Sequence, residues 1–360
     1  MLFLKQISLK MKKILIPLFL ITAMVSCGTA NVSKEGKTDK NSTSTSVQGD
    51  KAFIAAYKEI KADELKKNLY VIASDEMEGR DTGSPGQKKA GEYMINYYKN
   101  LGISFPKALG SYYQKVPADF MKKRGGGNLP DSENILAFIE GSEKPDEIIV
   151  VSAHYDHVGT KNGVVYNGAD DDGSGTVAVM EIAKAFQSAK KAGKGPKRSI
   201  LFLHVTGEEH GLFGSEYYTD NPVFPLANTV VDLNIDMIGR DDPANRGKQY
   251  VYVIGSEMLS SQLKVINEAA NKKTNNLELN YKYDDPNDPE QLYYRSDHYN
   301  FAKNNVPVAF FFDGIHEDYH KPTDDVEKID YPLLQKRTQL VFATAWEIAN
   351  RTERIVVDKK

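Results

Sequence analysis

Apolar residues along the chain follow two periodicities, one typical of helices and one typical of buried strands. The segments KADELKKNLYVIAS (61–74) and QKKAGEYMINYYKNLG (87–102) repeat apolar positions every three to four residues, which predicts amphipathic helices. The second helix is expected to end at Gly102, because glycine is a frequent helix C-cap. By contrast, EIIVVSAHYD (147–156) begins with a nearly continuous β-branched run, which is typical of a strand buried on both faces.

The same two patterns alternate over most of the chain. Further strands are predicted at 133–141, 199–209, 228–239, 249–255 and 306–314, and further helices at 175–189, 211–221, 257–273 and 331–351. Strands that alternate with helices predict an α/β fold, here a central mixed, largely parallel β-sheet flanked by helices on both faces. No internal repeat is visible, and no insert is long enough for a second domain of usual size, so we expect one domain.

The first residues have the composition of an export signal. Lys10, Lys12 and Lys13 precede the apolar stretch ILIPLFLITAMVS, which is shorter than the roughly 20 residues of a membrane span. Cys27 follows directly and resembles the lipobox cysteine of a bacterial lipoprotein, although Met24 stands where leucine is usual. We therefore expect an exported lipoprotein, held at the periplasmic or cell-surface side of a membrane by a lipid on Cys27. An uncleaved anchor or a buried thiol are the alternatives.

Composition divides the chain into three segments and argues against nucleic-acid binding and thiol catalysis. We expect a signal in residues 1–27, a polar Ser/Thr-rich tether in 28–51 and a folded domain in 52–360. Without the four lysines of residues 1–27, 42 basic and 49 acidic residues remain, a formal charge of −7 that argues against nucleic acid as a partner. Cys27 is the only cysteine, which excludes intrachain disulfides and thiol catalysis in the folded domain. The oligomeric state stays open.

Imidazole and carboxylate groups recur where the predicted strands end. They are His154 and Asp156, the run Asp170–Asp172, the pair Glu208 and Glu209, Asp236, and His320. Ligand sites in open α/β sheets form outside the carboxyl ends of the strands, so we expect these groups to meet. Converging carboxylates repel one another unless a cation neutralises them, and histidine with carboxylate suits zinc or a similar divalent ion. Two ions with a bridging carboxylate would form a hydrolytic centre, in which one glutamate of the adjacent pair binds metal and the other is a general base.

The order of the motifs makes the pattern specific. SAHYDH, GADDDGSG, TGEEHG, NIDMIGR and YHKPTD follow one another in a series that resembles the M28 family of zinc metallopeptidases, in particular its bacterial aminopeptidases. The similarity covers about residues 65–350. It implies a zinc-dependent exopeptidase that hydrolyses N-terminal residues of peptides with two Zn²⁺ ions and a glutamate base.

The resemblance also implies a role for individual residues. Glu208 would be the catalytic base that activates water for attack on the scissile carbonyl. One zinc ion would be bound by His154 and Asp236, the other by Glu209 and His320, and both by the bridging Asp171.

Three further aspartates accompany this set. Asp156 resembles the family's carboxylate that orients the ring of His154. Asp170 and Asp172 are expected to bind loop N–H groups or to cap the following helix rather than to bind metal. A cis peptide bond between the bridging aspartate and the next residue is frequent in the family.

Two residues are placed near the substrate by the resemblance. His298 would hold the substrate or its carbonyl oxygen, and Tyr319 would do the same or pack against the site. The remaining histidines are expected to be structural or superficial; they are His157, His204, His210 and His316.

Other functions on this fold stay open at this point. They are glutaminyl cyclisation, which in related proteins uses a single zinc, carboxypeptidase activity, and a non-catalytic peptide-binding module. A carboxypeptidase needs a cation for the substrate carboxylate, and Arg240 and Arg295 are candidates. Cobalt or manganese could occupy the same ligands, and the sequence does not reveal the preferred first residue of the peptide.

Overall fold

A mixed eight-stranded sheet runs through the computed structural model, which describes residues 51–359. Along the sheet the order is β1-β2-β6-β3-β7-β10-β8-β9, and β4 and β5 form a separate two-stranded ribbon. The strands are β1 (Tyr113–Val116), β2 (Ser132–Ile139), β3 (Lys144–His154), β4 (Thr160–Lys161), β5 (Val164–Val165), β6 (Arg198–Val205), β7 (Thr229–Ile235), β8 (Tyr250–Ile254), β9 (Glu278–Asn280) and β10 (Val308–Phe312).

The middle of the sheet is parallel and its flanks are mixed. Strands β6, β3, β7 and β10 are consecutive parallel neighbours. On one side β2 pairs antiparallel to β6 and β1 antiparallel to β2, and on the other β8 pairs antiparallel to β10 and parallel to β9. The predicted mixed α/β sheet is therefore confirmed. The carboxyl ends of the four central strands lie at one edge, where the motif residues follow them.

Helices cover both faces of the sheet. They are α1 (Ala62–Ile72), α2 (Pro85–Leu101), α3 (Ala118–Lys123), α4 (Gly175–Lys191), α5 (Phe213–Asp220), α6 (Leu263–Lys273), α7 (His298–Ala302) and α8 (Tyr331–Asn350). Strand β3 shows why its sequence is a continuous apolar run. Ile149 and Val151 belong to the core under α1, α2, α4 and α8, while Ile148 and Val150 belong to the core with Tyr218 on the opposite face. Successive side chains of a strand point to opposite faces, so both must be apolar.

Local signals account for the ends of helix α2. The Ser84 hydroxyl accepts a hydrogen bond from the Gln87 backbone N–H at 3.2 Å, and Pro85 occupies the first helical position. At the other end Gly102 adopts the left-handed conformation with φ 72°, as predicted for a glycine C-cap. These caps set the ends of α2 at Pro85 and Leu101.

Several short elements carry too little periodicity to be predicted. Strands β1 and β9 have four and three residues, and α3 lies in a segment whose sequence looks irregular. The predicted signal at 1–27, Cys27 and the tether at 28–51 lie outside the described residues except for Lys51, which starts a helical segment at 51–57. No helix within residues 51–359 is both long and apolar enough to span a membrane.

Candidate metal centre

The ends of the four central strands bring the motif residues together. His154 is the last residue of β3, Glu208 and Glu209 follow β6, Asp236 follows β7, and His320 lies in the loop after β10. Asp171 reaches the same place from the loop before α4. All five predicted metal-binding residues and the predicted base thus converge at one edge of the sheet.

Three side chains form one half of the cluster. His154 Nε2 lies 3.2 Å from Asp171 Oδ1 and 3.6 Å from Asp236 Oδ1. His154 Nδ1 lies 3.1 Å from the backbone oxygen of Asp156, to which it donates when it carries the ring proton. That hydrogen bond leaves the lone pair of Nε2 directed at the two carboxylates, the form of histidine that binds a metal ion.

The second half lies on the other side of Asp171. His320 Nε2 is 3.0 Å from Asp171 Oδ2 and 3.0 Å from Glu209 Oε2. Each oxygen of the Asp171 carboxylate therefore faces a different histidine. A carboxylate in this position can bridge two ions.

The donor set fits divalent metal ions. Ligand atoms bound about 2.0–2.2 Å from a tetrahedral ion lie roughly 3.3–3.5 Å apart, close to the separations found here. His154 Nε2, Asp171 Oδ2 and Glu209 Oε1 are buried, and although each lies 2.7–3.2 Å from a polar atom of a neighbouring side chain, none forms a hydrogen bond of acceptable geometry. Buried polar atoms without partners are costly, and metal coordination would remove that cost.

Negative charge is in excess at the cluster, and it raises the pKa of both histidines. Burial alone lowers the pKa of His154, but the negative charges of Glu208 and Asp236 outweigh it and raise that pKa well above its usual value. Burial likewise lowers the pKa of His320, yet its hydrogen bonds to Asp171 and Glu209 raise the pKa to about 10. Without metal, the histidines take up protons to balance the carboxylates, and bound cations would displace those protons.

Glu208 differs from its neighbour Glu209 in having no side-chain partner of its own. Its Oε2 lies 4.0 Å from His154 Nε2, beyond hydrogen-bond distance, and its side chain is 12% exposed to a recess. Burial raises the pKa of Glu208 well above its usual range, and the charges of Asp236 and Glu209 add to this effect. Glu208 is thus a carboxylate beside the cluster that is free to accept a proton.

His157 belongs to the cluster, although its sequence context suggested a structural or superficial role. Its Nδ1 lies 2.7 Å from Glu209 Oε1 and 3.8 Å from Asp171 Oδ2, and the side chain is fully buried. This nitrogen can offer a lone pair to a metal ion held with Asp171 and Glu209. Its position three residues after His154, past the end of the same strand, was a usable signal.

Asp156 contacts the site differently from the expectation. Its carboxylate Oδ1 lies 3.7 Å from His154 Nδ1, farther than its own backbone oxygen, so it does not orient the ring by a direct hydrogen bond. Instead the carboxylate accepts hydrogen bonds from the Thr82 hydroxyl at 3.0 Å and from the Glu208 backbone N–H at 3.3 Å. Asp156 therefore positions the loop that carries the two glutamates.

The flanking aspartates bind backbone groups, as expected. Asp172 Oδ1 accepts from the N–H of Gly175 at 2.8 Å, which caps α4, and from the N–H of Met237 at 3.1 Å. Asp170 Oδ1 accepts from the N–H of Gly239 at 2.7 Å, and its Oδ2 lies 3.3 Å from His316 Nε2. The Asp171–Asp172 peptide bond is cis, the position that the family resemblance implies.

Two residues outside the predicted set hold this loop from behind. The Asp324 carboxylate accepts the backbone N–H groups of Asp170 and Asp171 at 3.0–3.1 Å. Arg80 is fully buried and donates to four backbone oxygens at 2.7–2.9 Å, those of Ile72, Tyr155, Asn167 and Gly168. Burial lowers the pKa of Arg80, while the negative charge of nearby Asp171 opposes this effect. The guanidinium therefore supplies fixed positive charge beneath the carboxylates.

A recess opens beside the cluster. Tyr319 lines it and stacks on the ring of His320 with centroids 3.9 Å apart. His298 does not reach it: the ring is fully buried and stacks on Phe310, whose side chain forms the wall. Burial also lowers the pKa of His298 to about 3, so this histidine is a neutral packing residue. The expectation that His298 contacts the substrate is not supported by its position.

A chain of hydrogen bonds links Asp236 to a second buried aspartate. The Ser296 hydroxyl donates to Asp236 Oδ2 at 2.7 Å and accepts from Asn234 Nδ2 at 2.9 Å. Ser152 Oγ lies 2.9 Å from Asn234 Oδ1 and 2.7 Å from Asp232 Oδ1. One hydroxyl proton cannot serve both oxygens. Every contact is satisfied when Ser152 donates to Asn234 and a protonated Asp232 donates to Ser152.

Asp232→Asn is expected to reduce the loss of stability that the wild type shows as the pH rises from about 4 to about 8. Burial raises the pKa of Asp232 to about 8 from 3.8, so its contribution to stability is complete below about pH 4 and is lost as the pH rises through 8. The variant cannot ionise and keeps a donor for Ser152. At pH 8.5 we expect it to gain on the order of 1 kcal/mol or more over the wild type, relative to pH 5.

Denaturant unfolding of both proteins at these two pH values measures the effect. Asp232→Ala, which has no donor, is the matched control and should be destabilised at both. Parallel pH profiles for the wild type and Asp232→Asn would show that Asp232 is ionised in the folded protein.

Known proteins resemble this chain in both sequence and fold. The profile of peptidase family M28 matches residues 134–345. A probable leucine aminopeptidase of Trichophyton verrucosum is 28% identical over 300 residues, which cover 81% of this chain and 75% of that protein. BSAP, a zinc aminopeptidase from Bacillus subtilis, has a similar fold with a TM-score of 0.63 at 18% identity, covering 84% of this chain and 99% of that one. Porphyromonas gingivalis glutaminyl cyclase also shares the fold, with a TM-score of 0.60 at 17% identity over 79% of this chain and 97% of that one.

Proposed function

Because the chain belongs to peptidase family M28, we propose that it is a zinc-dependent aminopeptidase that removes N-terminal residues from peptides. The observation that carries the proposal is the placement of Asp171, whose two carboxylate oxygens face His154 and His320 at 3.2 and 3.0 Å. A cluster of two halves around one shared carboxylate favours two metal ions over one.

The ligands divide between two zinc ions. His154 and Asp236 would hold one ion, Glu209 and His320 would hold the other, and Asp171, which faces both histidines, would contribute to both. When bound, the zinc ions supply Lewis acidity that polarises the scissile carbonyl and acidifies the attacking water. His157 keeps Glu209 oriented through the 2.7 Å contact of its Nδ1 with Oε1.

Glu208 moves the protons of the reaction. Its carboxylate borders the recess together with Asp171 and Asp236, and it has no competing side-chain partner. It accepts a proton from the attacking water and returns one to the amine of the leaving peptide, the two steps of general base and general acid catalysis. The backbone N–H of Glu208, bound by Asp156, keeps the carboxylate at this position.

The free amine of the substrate gives the reaction its direction. We infer this direction from the leucine aminopeptidase relative, which aligns over most of this chain.

The metal content and the cleavage direction of the purified full-length protein test this function together. We expect about two zinc ions per chain, release of p-nitroaniline from aminoacyl-p-nitroanilides, and no cleavage when the amine is blocked. Chelation should abolish activity, and zinc added back at pH 7 should restore it with release of protons from His154 and His320, measurable by calorimetry in buffers of different ionisation enthalpy.

Other outcomes identify other functions. Cleavage of N-blocked dipeptides would indicate a carboxypeptidase. Cyclisation of N-terminal glutamine with one bound ion would indicate a glutaminyl cyclase-like enzyme. Little bound zinc and no turnover would indicate a peptide-binding module, and any of these three results contradicts the proposal.

The N-terminal region would place the enzyme at a membrane. We propose that residues 1–27 direct export, that Cys27 carries the lipid anchor, and that residues 28–51 tether the domain of 52–360. Lysines followed by an apolar stretch and a single cysteine support this reading. Cys27→Ser should move the protein from the membrane fraction to the soluble fraction, and an unchanged distribution would argue against the anchor.

A further inference from the structure

One positively charged side chain lines the recess beside the candidate metal centre. The ten residues that line the recess comprise three carboxylates, one guanidinium and six apolar or aromatic side chains, among them Leu292, Phe310 and Phe312. The guanidinium belongs to Arg295, which is exposed. Acidic and basic groups therefore share a small cavity with apolar walls.

Arg295 has no protein partner for its charge. Among the contacts of residues 51–359, its guanidinium forms neither an ion pair nor a hydrogen bond, and only its backbone N–H is bonded, to Leu292 O at 3.1 Å. Arg240, the other arginine that the sequence offers as a partner for a substrate carboxylate, is already paired: its Nη2 lies 3.0 Å from Asp318 Oδ2. An unpaired guanidinium that lines a substrate recess is available for a ligand.

We propose that Arg295 binds a carboxylate of the substrate. This inference rests on the proposed peptidase function and adds the class of peptide: one with the free amine at the cluster and a carboxylate within reach of Arg295. Guanidinium groups bind carboxylates with two parallel hydrogen bonds, which gives both strength and orientation.

Two carboxylates of a peptide could meet this guanidinium. One is the C-terminal carboxylate of a dipeptide or tripeptide whose N-terminal residue lies at the cluster. The other is the side chain of an N-terminal glutamate or aspartate. Both have the same chemistry at Arg295, and substrates that differ in one charge distinguish them.

Two pairs of substrates form the experiment. Leu-Leu is compared with Leu-Leu amide, and glutamyl-p-nitroanilide with glutaminyl-p-nitroanilide. In the wild-type protein we expect kcat/KM at least about ten-fold higher for the charged member of one pair. Arg295→Gln should remove that preference and leave the neutral member within about three-fold.

Matched variants exclude an effect of net charge. Arg246 is also an exposed arginine but does not line the recess, so Arg246→Gln should keep the preference. Arg295→Lys, which retains the charge without the forked donor, should keep part of it.

Binding is measured separately from turnover. In the zinc-loaded Glu208→Gln variant, calorimetry with the same two pairs should show tighter binding of the charged member, and Arg295→Gln in that background should abolish the difference. Equal affinity and equal kcat/KM within both pairs, or a preference that survives Arg295→Gln, overturns the inference. If the wild type cleaves none of the four substrates, the result counts against the proposed function. The binding comparison still decides the role of Arg295.

Discussion

Glu208→Gln should lower kcat by about 10²–10⁴-fold or more while the protein keeps about two zinc ions per chain. The amide has nearly the shape of the carboxylate but cannot accept a proton from water. Glu208 contacts neither histidine within hydrogen-bond distance, its nearest being His154 Nε2 at 4.0 Å, so metal binding should survive. Steady-state kinetics on an aminoacyl-p-nitroanilide and elemental analysis of the same preparation measure the two effects.

The adjacent glutamate provides the matched control. Glu209 lies between His157 and His320 at 2.7 and 3.0 Å, so Glu209→Gln removes a charge from the cluster itself. We expect this variant to lose zinc as well as activity. If Glu208→Gln also loses zinc in proportion to activity, Glu208 is a ligand and not the base. Retention of more than a tenth of wild-type kcat would also exclude it as the base.

Arg80→Met should destabilise the folded protein by roughly 4 kcal/mol or more. Methionine fills much of the same volume but leaves the backbone oxygens of Ile72, Tyr155 and Asn167 without a donor, and each such group costs about 1–3 kcal/mol. The fourth oxygen, that of Gly168, keeps the N–H of Gly173. The substitution also removes a positive charge near Asp171, which raises the repulsion among the carboxylates. Denaturant unfolding of the chelated protein measures the loss, and Arg80→Lys should give an intermediate value.

A variant of a second buried arginine distinguishes the effect of Arg80 on stability from its effect on metal binding. Arg198 is also fully buried and donates to the backbone oxygens of Ile348 and Arg351, but it starts β6 and so lies at the edge of the sheet opposite the cluster. Arg198→Met should be destabilised, yet the folded protein should bind zinc like the wild type. Arg80→Met should bind zinc more weakly even when folded. Equal zinc affinity in both variants, or a loss below 1 kcal/mol for Arg80→Met, would contradict this account.

The fold was predictable wherever apolar periodicity extends over many residues. Strand β3 and helix α4 have 11 and 17 residues, and both carry apolar side chains along most of their length, so sequence alone locates them. Strand β9 has three residues, too few to show a period. The order of strands in the sheet depends on pairing between distant segments, which no local pattern encodes.

The candidate site was predictable where a side chain acts through its own chemistry. His154, Glu208 and Glu209 carry groups that bind metal or protons, and they lie at the ends of predicted strands. Arg80 and Asp324 act instead on backbone atoms of distant segments, and backbone atoms are the same in every residue. His298 shows the opposite error, because an imidazole near the site in sequence packs as an apolar ring against Phe310.

The hydrogen bonds from Asp170 and Asp171 to Asp324 have a consequence for biosynthesis. A ribosome completes residues 154–236 long before it adds Asp324, so the base and most of the ligands exist early in a growing chain. The backbone of Asp171 is not held in place until Asp324 folds back onto it, and His320 is also added late. The proposed zinc centre therefore cannot be complete in a nascent polypeptide, and peptides inside the cell that makes it would be spared until synthesis is nearly finished.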